Sequence, residues 1–128
     1  MVVTIAAATC LALNVYFEAR NQPTDGQYLI AEVTMNRVND DRYPDNVCDV
    51  VWQGKQFSWT HDGKPDKPKN TDAWLKAQII AYSVILYGCE ICTEATHYHT
   101  INVKPYWSRK LTKLGMYGDH IFYQWEHK

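Results

Sequence analysis

The amino-acid sequence predicts an α+β domain that is mainly helical, with a small antiparallel β-sheet towards the C-terminus. Its first part contains apolar segments long enough for helices, separated by Pro, Gly and Asp. Its last 40 residues contain only short Thr- and Tyr-rich segments, divided by Pro105, Gly115 and Gly118. A chain of 128 residues is typical of one hydrophobic core, so we expect residues 1–128 to form a single domain. Helices followed by strands is the order of an α+β fold.

The first two helices are predicted from their capping and breaking residues. Residues 4–19 are apolar on nearly every side, contain no Gly or Pro, and can be capped by Thr4. The Asn-Gln-Pro that follows ends this helix. Thr24 and Gln27 have the spacing of a capping box, with Thr24 as the N-cap, so a second helix is expected to about Val38.

Two further helices and three strands complete the prediction. Residues 45–51 favour a short third helix, and residues 73–87 favour a fourth that Thr71 or Asp72 caps and Gly88 ends. The strand-like segments are residues 93–100, 109–114 and 120–125. On the first of them, alternation sends His97 and His99 to one face and Tyr98 to the other.

The composition excludes some function classes. With 46% hydrophobic and 21% charged residues, the chain does not have the composition of a disordered segment. A net charge of −1 shows no overall basic footprint, so we expect no nucleic-acid partner. Of 17 aromatic residues, 14 are Tyr or Trp, which can both stack and form hydrogen bonds.

The N-terminal apolar stretch has the pattern of a buried helix. It lacks preceding Lys or Arg and a small-residue cleavage site, and Thr and Asn interrupt it. We therefore expect neither a secretory signal nor membrane insertion. Synthesis in the cytoplasm is expected. Reduced thiols are then the default for the four cysteines, Cys10, Cys48, Cys89 and Cys92. A Cys89–Cys92 or other disulfide is the alternative if the protein acts outside the cytoplasm.

A zinc site is a competing interpretation of the same region. Cys89, Cys92, His97 and His99 lie within 11 residues and include ligand types that zinc prefers. Zinc modules usually separate their Cys and His pairs more widely, so we predict no metal and no cofactor.

Glu18 is the strongest candidate for chemistry. It shares one helix face with Asn14, and it lies near the helix C-terminus beside Val15, Tyr16 and Phe17. Both the negative end of the helix dipole and an apolar environment raise a carboxyl pKa. A carboxylic acid that keeps its proton near neutral pH can donate it to a leaving oxygen. The alternative is a structural ion pair with Arg20 or Arg37.

Several motifs in order resemble one known family. They are Asn14–Pro23, Met35–Val38, Tyr43-Pro44, Val47–Val51, Gln56–Trp59, Ala95–Tyr98, Pro105–Ser108 and Gly118–Tyr123. Their residues and spacing resemble the SleB/CwlJ family of cell-wall hydrolases over roughly residues 10–123. Many motifs in register are more specific than any one of them.

The resemblance implies a lysozyme-like catalytic domain that cuts the glycan strands of peptidoglycan. Glu18 occupies the position of the family's catalytic glutamate, which favours the acid over the ion pair. Rings, amides and hydroxyls that suit sugars are predicted to bind substrate. These residues are Gln56, Phe57, Ser58, Trp59, His97, Tyr98, Trp107 and His120. For Phe57, Trp59, Trp107 and His120, packing in the core is the alternative.

The reaction type depends on a second carboxylate, because glycoside hydrolysis generally uses two. The candidates Glu32, Asp25 and Glu94 fall in no clear family motif, and Asn21-Gln22 stands where many members have Gly-Glu. We therefore predict a lytic transglycosylase that cleaves the MurNAc–GlcNAc bond with Glu18 as acid and base. The alternatives are a hydrolytic muramidase, a zinc-dependent amidase and a non-catalytic glycan-binding module. A monomer acting on the cell wall, in the role of a phage endolysin, is expected.

Overall fold

The computed structural model describes residues 4–53, 58–60 and 67–126. The helices are α1 (Ile5–Ala19), α2 (Thr24–Val38), α3 (Val47–Val51) and α4 (Thr71–Tyr87). The strands are β1 (His97–Thr100), β2 (Thr112–Tyr117) and β3 (His120–Gln124). Two short 3-10 helices lie at Ser58–Thr60 and Tyr106–Arg109. The predicted α+β class with a small C-terminal antiparallel sheet is confirmed.

Helix α1 lies at the centre of the helical layer, where it contacts the other three helices. Its nearly uniform apolar character explains this position, because a helix without a polar face is stable only when surrounded. Leu11 and Val15 are fully buried, and burial of each such side chain contributes about 1.5–3 kcal/mol. Thr4 caps the helix as predicted, accepting a hydrogen bond from the Ala7 N–H at 2.9 Å.

Two helix starts differ from the prediction. The capping box of α2 is not formed: Pro23 is the N-cap, Thr24 is the first helical residue, and the Asp25 carboxylate accepts from the Gly26 N–H. Helix α4 begins at Thr71, because the side chain of Asn70 caps it instead. It ends before Gly88, whose φ of +86° suits a residue without a Cβ.

The sheet has the order β1–β3–β2, with both pairs antiparallel. The predicted second strand begins later than expected, because the residues after Pro105 form a 3-10 turn that includes Arg109. The rings of Tyr98, His120 and Phe122 contact one another on the face that Phe122 buries in the core. The opposite face carries a separate aromatic cluster, formed by His97, His99, Trp107, Tyr123 and Trp125.

The expectation of reduced thiols is wrong for this structure. Cys10 and Cys48 form a disulfide that joins α1 to α3, and Cys89 and Cys92 form a second one. Their Cα atoms lie 5.3 and 5.0 Å apart, which is the separation that a disulfide needs. Cys10 and Cys48 are distant in sequence, and they meet only because α1 and α3 pack together.

Among the described helices, none is long and apolar enough to cross a membrane.

Candidate active site

Glu18 lies in the last turn of α1, where the helix meets the sheet and α2. Its carboxyl interacts with the Tyr98 hydroxyl from β1 and with the charge of Arg37 from α2. Burial raises the pKa of Glu18 from 4.5 to about 7, although the hydrogen bond from Tyr98 and the charge of Arg37 act in the opposite direction. A carboxyl with this pKa exchanges its proton near neutral pH, as an acid–base catalyst must.

The Tyr98 hydroxyl is buried, and the side chains of Asn14 and Glu18 both affect its pKa. Burial and the neighbouring carboxylate of Glu18 raise the pKa of Tyr98 well above 10, so the phenol stays protonated. His120 packs against this ring, with centroids 5.4 Å apart, and only 2% of the residue is exposed. Burial lowers the pKa of His120, which keeps its imidazole neutral.

Two arginines considered as ion-pair partners of Glu18 have other contacts. Arg37 is buried, and its Nε donates to the Thr96 carbonyl at 2.7 Å. Arg20 is exposed; it donates to the Tyr16 carbonyl, and its guanidinium lies 4.9 Å from the Tyr16 ring centroid. Arg37 thus supplies positive charge near Glu18 from a position that a backbone carbonyl holds in place.

Trp59 contacts Asn14 and Phe17, which lie within one helical turn of Glu18. Its indole N–H donates to Asn14 Oδ1 at 2.8 Å, and only 5% of the residue is exposed. Its ring stacks on Phe17 at 5.1 Å and meets Trp52 edge-on at 5.0 Å. Of the other residues of this predicted motif, Gln56, Phe57 and the side chain of Ser58 lie outside the described residues.

The structure does not bring all predicted substrate contacts together. Tyr98, His120 and Trp59 lie on the same side of the sheet as Glu18. The Tyr98 hydroxyl and the His120 Nδ1 atom are buried, and so is the Trp59 side chain. His97 and Trp107 lie on the opposite face of the sheet, with ring centroids 4.9 Å apart. Burial and the charge of Arg37 lower the pKa of His97 to about 4, so this imidazole is neutral at physiological pH.

Both side-chain oxygens of Glu32, a candidate second carboxylate, already accept hydrogen bonds from the backbone. It is 1% exposed, and its two oxygens accept the backbone N–H groups of Glu90, Ile91 and Cys92 at 2.8, 3.0 and 2.8 Å. These bonds hold the short disulfide loop against α2. Asp25 binds the first turn of its own helix, and Glu94 is exposed before β1.

Gln22, where the sequence departs from the family pattern, ties the sheet to the end of α1. Its Nε2 donates to the Asp119 carboxylate at 3.2 Å, and its Oε1 accepts the Asp119 N–H at 2.8 Å. The hairpin turn between β2 and β3 approaches so closely that a Cβ on Gly118 would collide with Gln22 and Pro23. Gly118 also has a φ of +60°, which favours glycine.

Asn14 and Arg37 were not predicted as site residues, although both lie in the recognised motifs. The available signal for Asn14 was a polar residue four positions before Glu18 in an otherwise apolar helix. The cysteines of the alternative zinc interpretation are bonded to each other, so neither offers a thiolate. Within the described ranges, no three His, Cys, Asp or Glu side chains are grouped to hold a metal ion.

Comparison with known proteins gives one family. A family model described as "Cell Wall Hydrolase" matches residues 21–123. A spore cortex-lytic enzyme of Oceanobacillus iheyensis is 30% identical over 118 residues, which cover 88% of this chain and 39% of that protein. The Bacillus subtilis spore cortex-lytic enzyme is 41% identical over 54 residues, covering 42% of this chain and 18% of that protein. The chain thus spans at most about two fifths of these relatives.

The fold is shared with a solved structure. The catalytic domain of the germination-specific lytic transglycosylase SleB from Bacillus anthracis superposes with a TM-score of 0.81. The superposition covers 95% of this chain and 97% of that domain at 24% sequence identity.

Proposed function

The chain belongs to the cell wall hydrolase family, as its motifs predicted, and from this premise we propose that it is a lytic transglycosylase of peptidoglycan with Glu18 as its acid and base. Membership of this family identifies the protein as an enzyme that acts on the cell wall. The reaction type, the bond and the catalytic residue are the proposal. The relatives named spore cortex-lytic enzymes and the fold shared with a lytic transglycosylase support it.

The observation that carries the proposal is the Glu18 carboxyl, held at a pKa of about 7 where α1 meets the sheet. At neutral pH about half of the molecules hold the proton and can donate it. After donation, the same group is a carboxylate that can take a proton back. A single residue with this pKa therefore serves both halves of a reaction that consumes no water.

The Glu18 carboxyl donates one proton in the first step and takes one back in the second. In the first, Glu18 gives its proton to the glycosidic oxygen as the bond from that oxygen to the muramyl C1 breaks. In the second, the Glu18 carboxylate takes the proton of the muramyl C6 hydroxyl, whose oxygen bonds to C1. The products are a free sugar hydroxyl and a 1,6-anhydro ring, and the enzyme returns to its starting protonation state.

The surroundings of two of the three other candidate carboxylates favour this reaction over hydrolysis. Both Glu32 oxygens accept backbone N–H groups, and Asp25 binds its own helix start, so neither is poised to activate a water. Hydrolysis with two carboxyl groups would need a second acid about 5–9.5 Å from Glu18.

The disulfides favour action outside the reducing cytosol, because such bonds persist mainly in oxidising compartments. Peptidoglycan is the proposed partner. The endolysin role, the monomeric state and the absence of a nucleic-acid partner stay predictions from the sequence.

The test digests purified peptidoglycan with the wild type, Glu18→Gln and the exposed control Glu90→Gln, followed by mass spectrometry of the fragments. We expect 1,6-anhydro-muramyl ends from the wild type and the control, and a loss of at least about a hundredfold in Glu18→Gln. Reducing ends would identify a muramidase, and freed peptides an amidase. Full activity in Glu18→Gln would refute the assignment of Glu18 as the acid and base.

A further inference from the structure

We propose that helix α4 carries a self-complementary docking surface, through which two copies of this chain pair as a weak antiparallel dimer. The surface is the α4 stripe, a row of apolar side chains on the solvent side of the helix. Its members are Leu75, Ile79, Tyr82 and Leu86. The inference does not depend on the proposed reaction, since it concerns how two copies associate.

The stripe residues are exposed although they are large and apolar. Their exposed fractions run from 39% for Tyr82 to 58% for Leu75 and Ile79. Single exposed apolar residues are ordinary on a protein surface, but a contiguous patch marks an interaction site. The opposite side of α4 is already packed in the core through Ala77, Ile80, Ala81, Val84 and Ile85. The helix therefore has two apolar faces, of which one copy of the chain buries only one.

The spacing of the stripe fits a second helix. Its residues are separated by four, three and four positions, which is the spacing of the apolar seam in a coiled coil. This spacing is symmetric about the point midway between Ile79 and Tyr82. A two-fold axis through that point relates two antiparallel helices. It places Leu75 of one copy against Leu86 of the other, and Ile79 against Tyr82, so every stripe residue meets an apolar partner.

The charge pattern favours a second copy over a charged partner or a membrane. Residues 77–89 contain no charged side chain, so two copies meet along this segment without like-charge repulsion. A helix that lies on an anionic membrane needs several Lys or Arg residues beside its apolar face. Helix α4 has only Lys76, whose Nζ donates to Thr24 Oγ1 at 2.7 Å.

The shape and area of this face also suit a dimer. Beside the stripe lies a groove of about 590 Å³, which Tyr28 from α2 also lines. A ridge of side chains next to a groove allows two helices to interdigitate. Tyr87, at the end of α4, is 84% exposed and extends the apolar surface.

The apolar area of the stripe and Tyr87 sets the expected strength. On a scale of about 120 Å² for a whole Leu or Ile side chain and about 200 Å² for Tyr, each copy presents about 450 Å². Homodimer interfaces are about 65% apolar, so burial of this surface on both copies corresponds to a total of about 1,400 Å². This is in the lower part of the range of about 1,200–2,000 Å² for specific interfaces. The dimer is therefore weak, and the monomer that the sequence predicts prevails at low concentration.

The test measures association by sedimentation velocity, over protein concentrations from about 1 μM to about 1 mM. Ile79→Glu changes the stripe beside the two-fold axis. Its matched control is Ile101→Glu, at a position that is 51% exposed in the turn after β1. Circular dichroism checks that both variants fold.

We expect the wild type to dimerise with a Kd of about 100 μM. Ile79→Glu should raise the Kd at least about tenfold, because each copy would bury a carboxylate near the same carboxylate of the other. Ile101→Glu should match the wild type.

Nitroxide labels on introduced cysteines test the antiparallel arrangement. The four native cysteines are paired in disulfides, so an introduced thiol is labelled selectively. Labels on Asp72→Cys lie far from the two-fold axis, and labels on Gln78→Cys lie near it. At a rise of 1.5 Å per residue, the separation between copies should be about 15 Å longer at position 72 than at position 78. Parallel helices would give similar separations at both positions.

A wild type that stays monomeric over the whole concentration range would overturn the inference. Binding of that monomer to phosphatidylcholine vesicles would identify a lipid surface as the occupant instead. An equal rise of the Kd in Ile101→Glu, or equal label separations at positions 72 and 78, would also contradict it. Leu86→Lys changes the same stripe one end further on, and it decides the question if Ile79→Glu does not fold.

Discussion

Replacement of Glu18 by Gln should make the protein more stable at alkaline pH while it abolishes catalysis. Folding raises the pKa of this carboxyl from 4.5 to about 7, because burial disfavours the charged form. The folded protein therefore holds the proton over a range in which the unfolded chain has lost it. Stability falls as pH rises from about 4.5 to 7 and stays lower above that, since ionisation favours the unfolded state.

The size of the effect follows from the two pKa values. Between pH 5 and pH 8 the Glu18 carboxyl costs the wild type about 2.5 kcal/mol of unfolding free energy. Gln has nearly the same shape and carries no charge, so the variant does not bear this cost. Urea unfolding of both proteins at pH 5 and pH 8 gives the difference directly, because other titrating groups cancel in the comparison.

The expected result is a variant that gains about 2.5 kcal/mol over the wild type between pH 5 and pH 8. The control Glu90→Gln, at an exposed position, should show no such pH-dependent gain. A stability difference between wild type and Glu18→Gln that is equal at the two pH values would refute the reasoning. It would mean that the carboxyl is not desolvated by folding.

Two further changes test what holds the site together. Glu32→Ala should destabilise the protein by about 3 kcal/mol in urea unfolding, because three backbone N–H groups lose the side-chain oxygens that accept from them; a loss below about 1 kcal/mol would contradict this. Replacement of Cys10 and Cys48 by Ser should cost about 4 kcal/mol, since this bridge links residues 38 apart in sequence. Calorimetry of the wild type with and without reductant measures the combined loss from both bridges, and an unchanged Tm on reduction would argue against a formed Cys10–Cys48 bridge.

Elements with local signals were predicted well from the sequence. The Thr4 cap, the end of α4 at Gly88 and the presence of three C-terminal strands all depend on residues within a few positions of each other, although the first two strands begin later than predicted. The N-cap of α2 was assigned to Thr24 instead of Pro23, because the choice between neighbouring caps depends on how the chain enters the helix. The Cys10–Cys48 bridge was not predicted, since it requires α1 to pack on α3.

The properties of the candidate site also divide into those that depend on local sequence and those that depend on tertiary packing. Glu18 could be predicted as the catalytic acid from the sequence, because its helix position, its apolar neighbours and its motif are local properties. Its pKa of about 7, its bond to Tyr98 and the charge of Arg37 depend on where β1 and α2 pack, and only the tertiary structure decided them. The same holds for Trp59 and Asn14: both lie in motifs of the sequence, but the hydrogen bond between them exists only when residues distant in sequence are brought into contact.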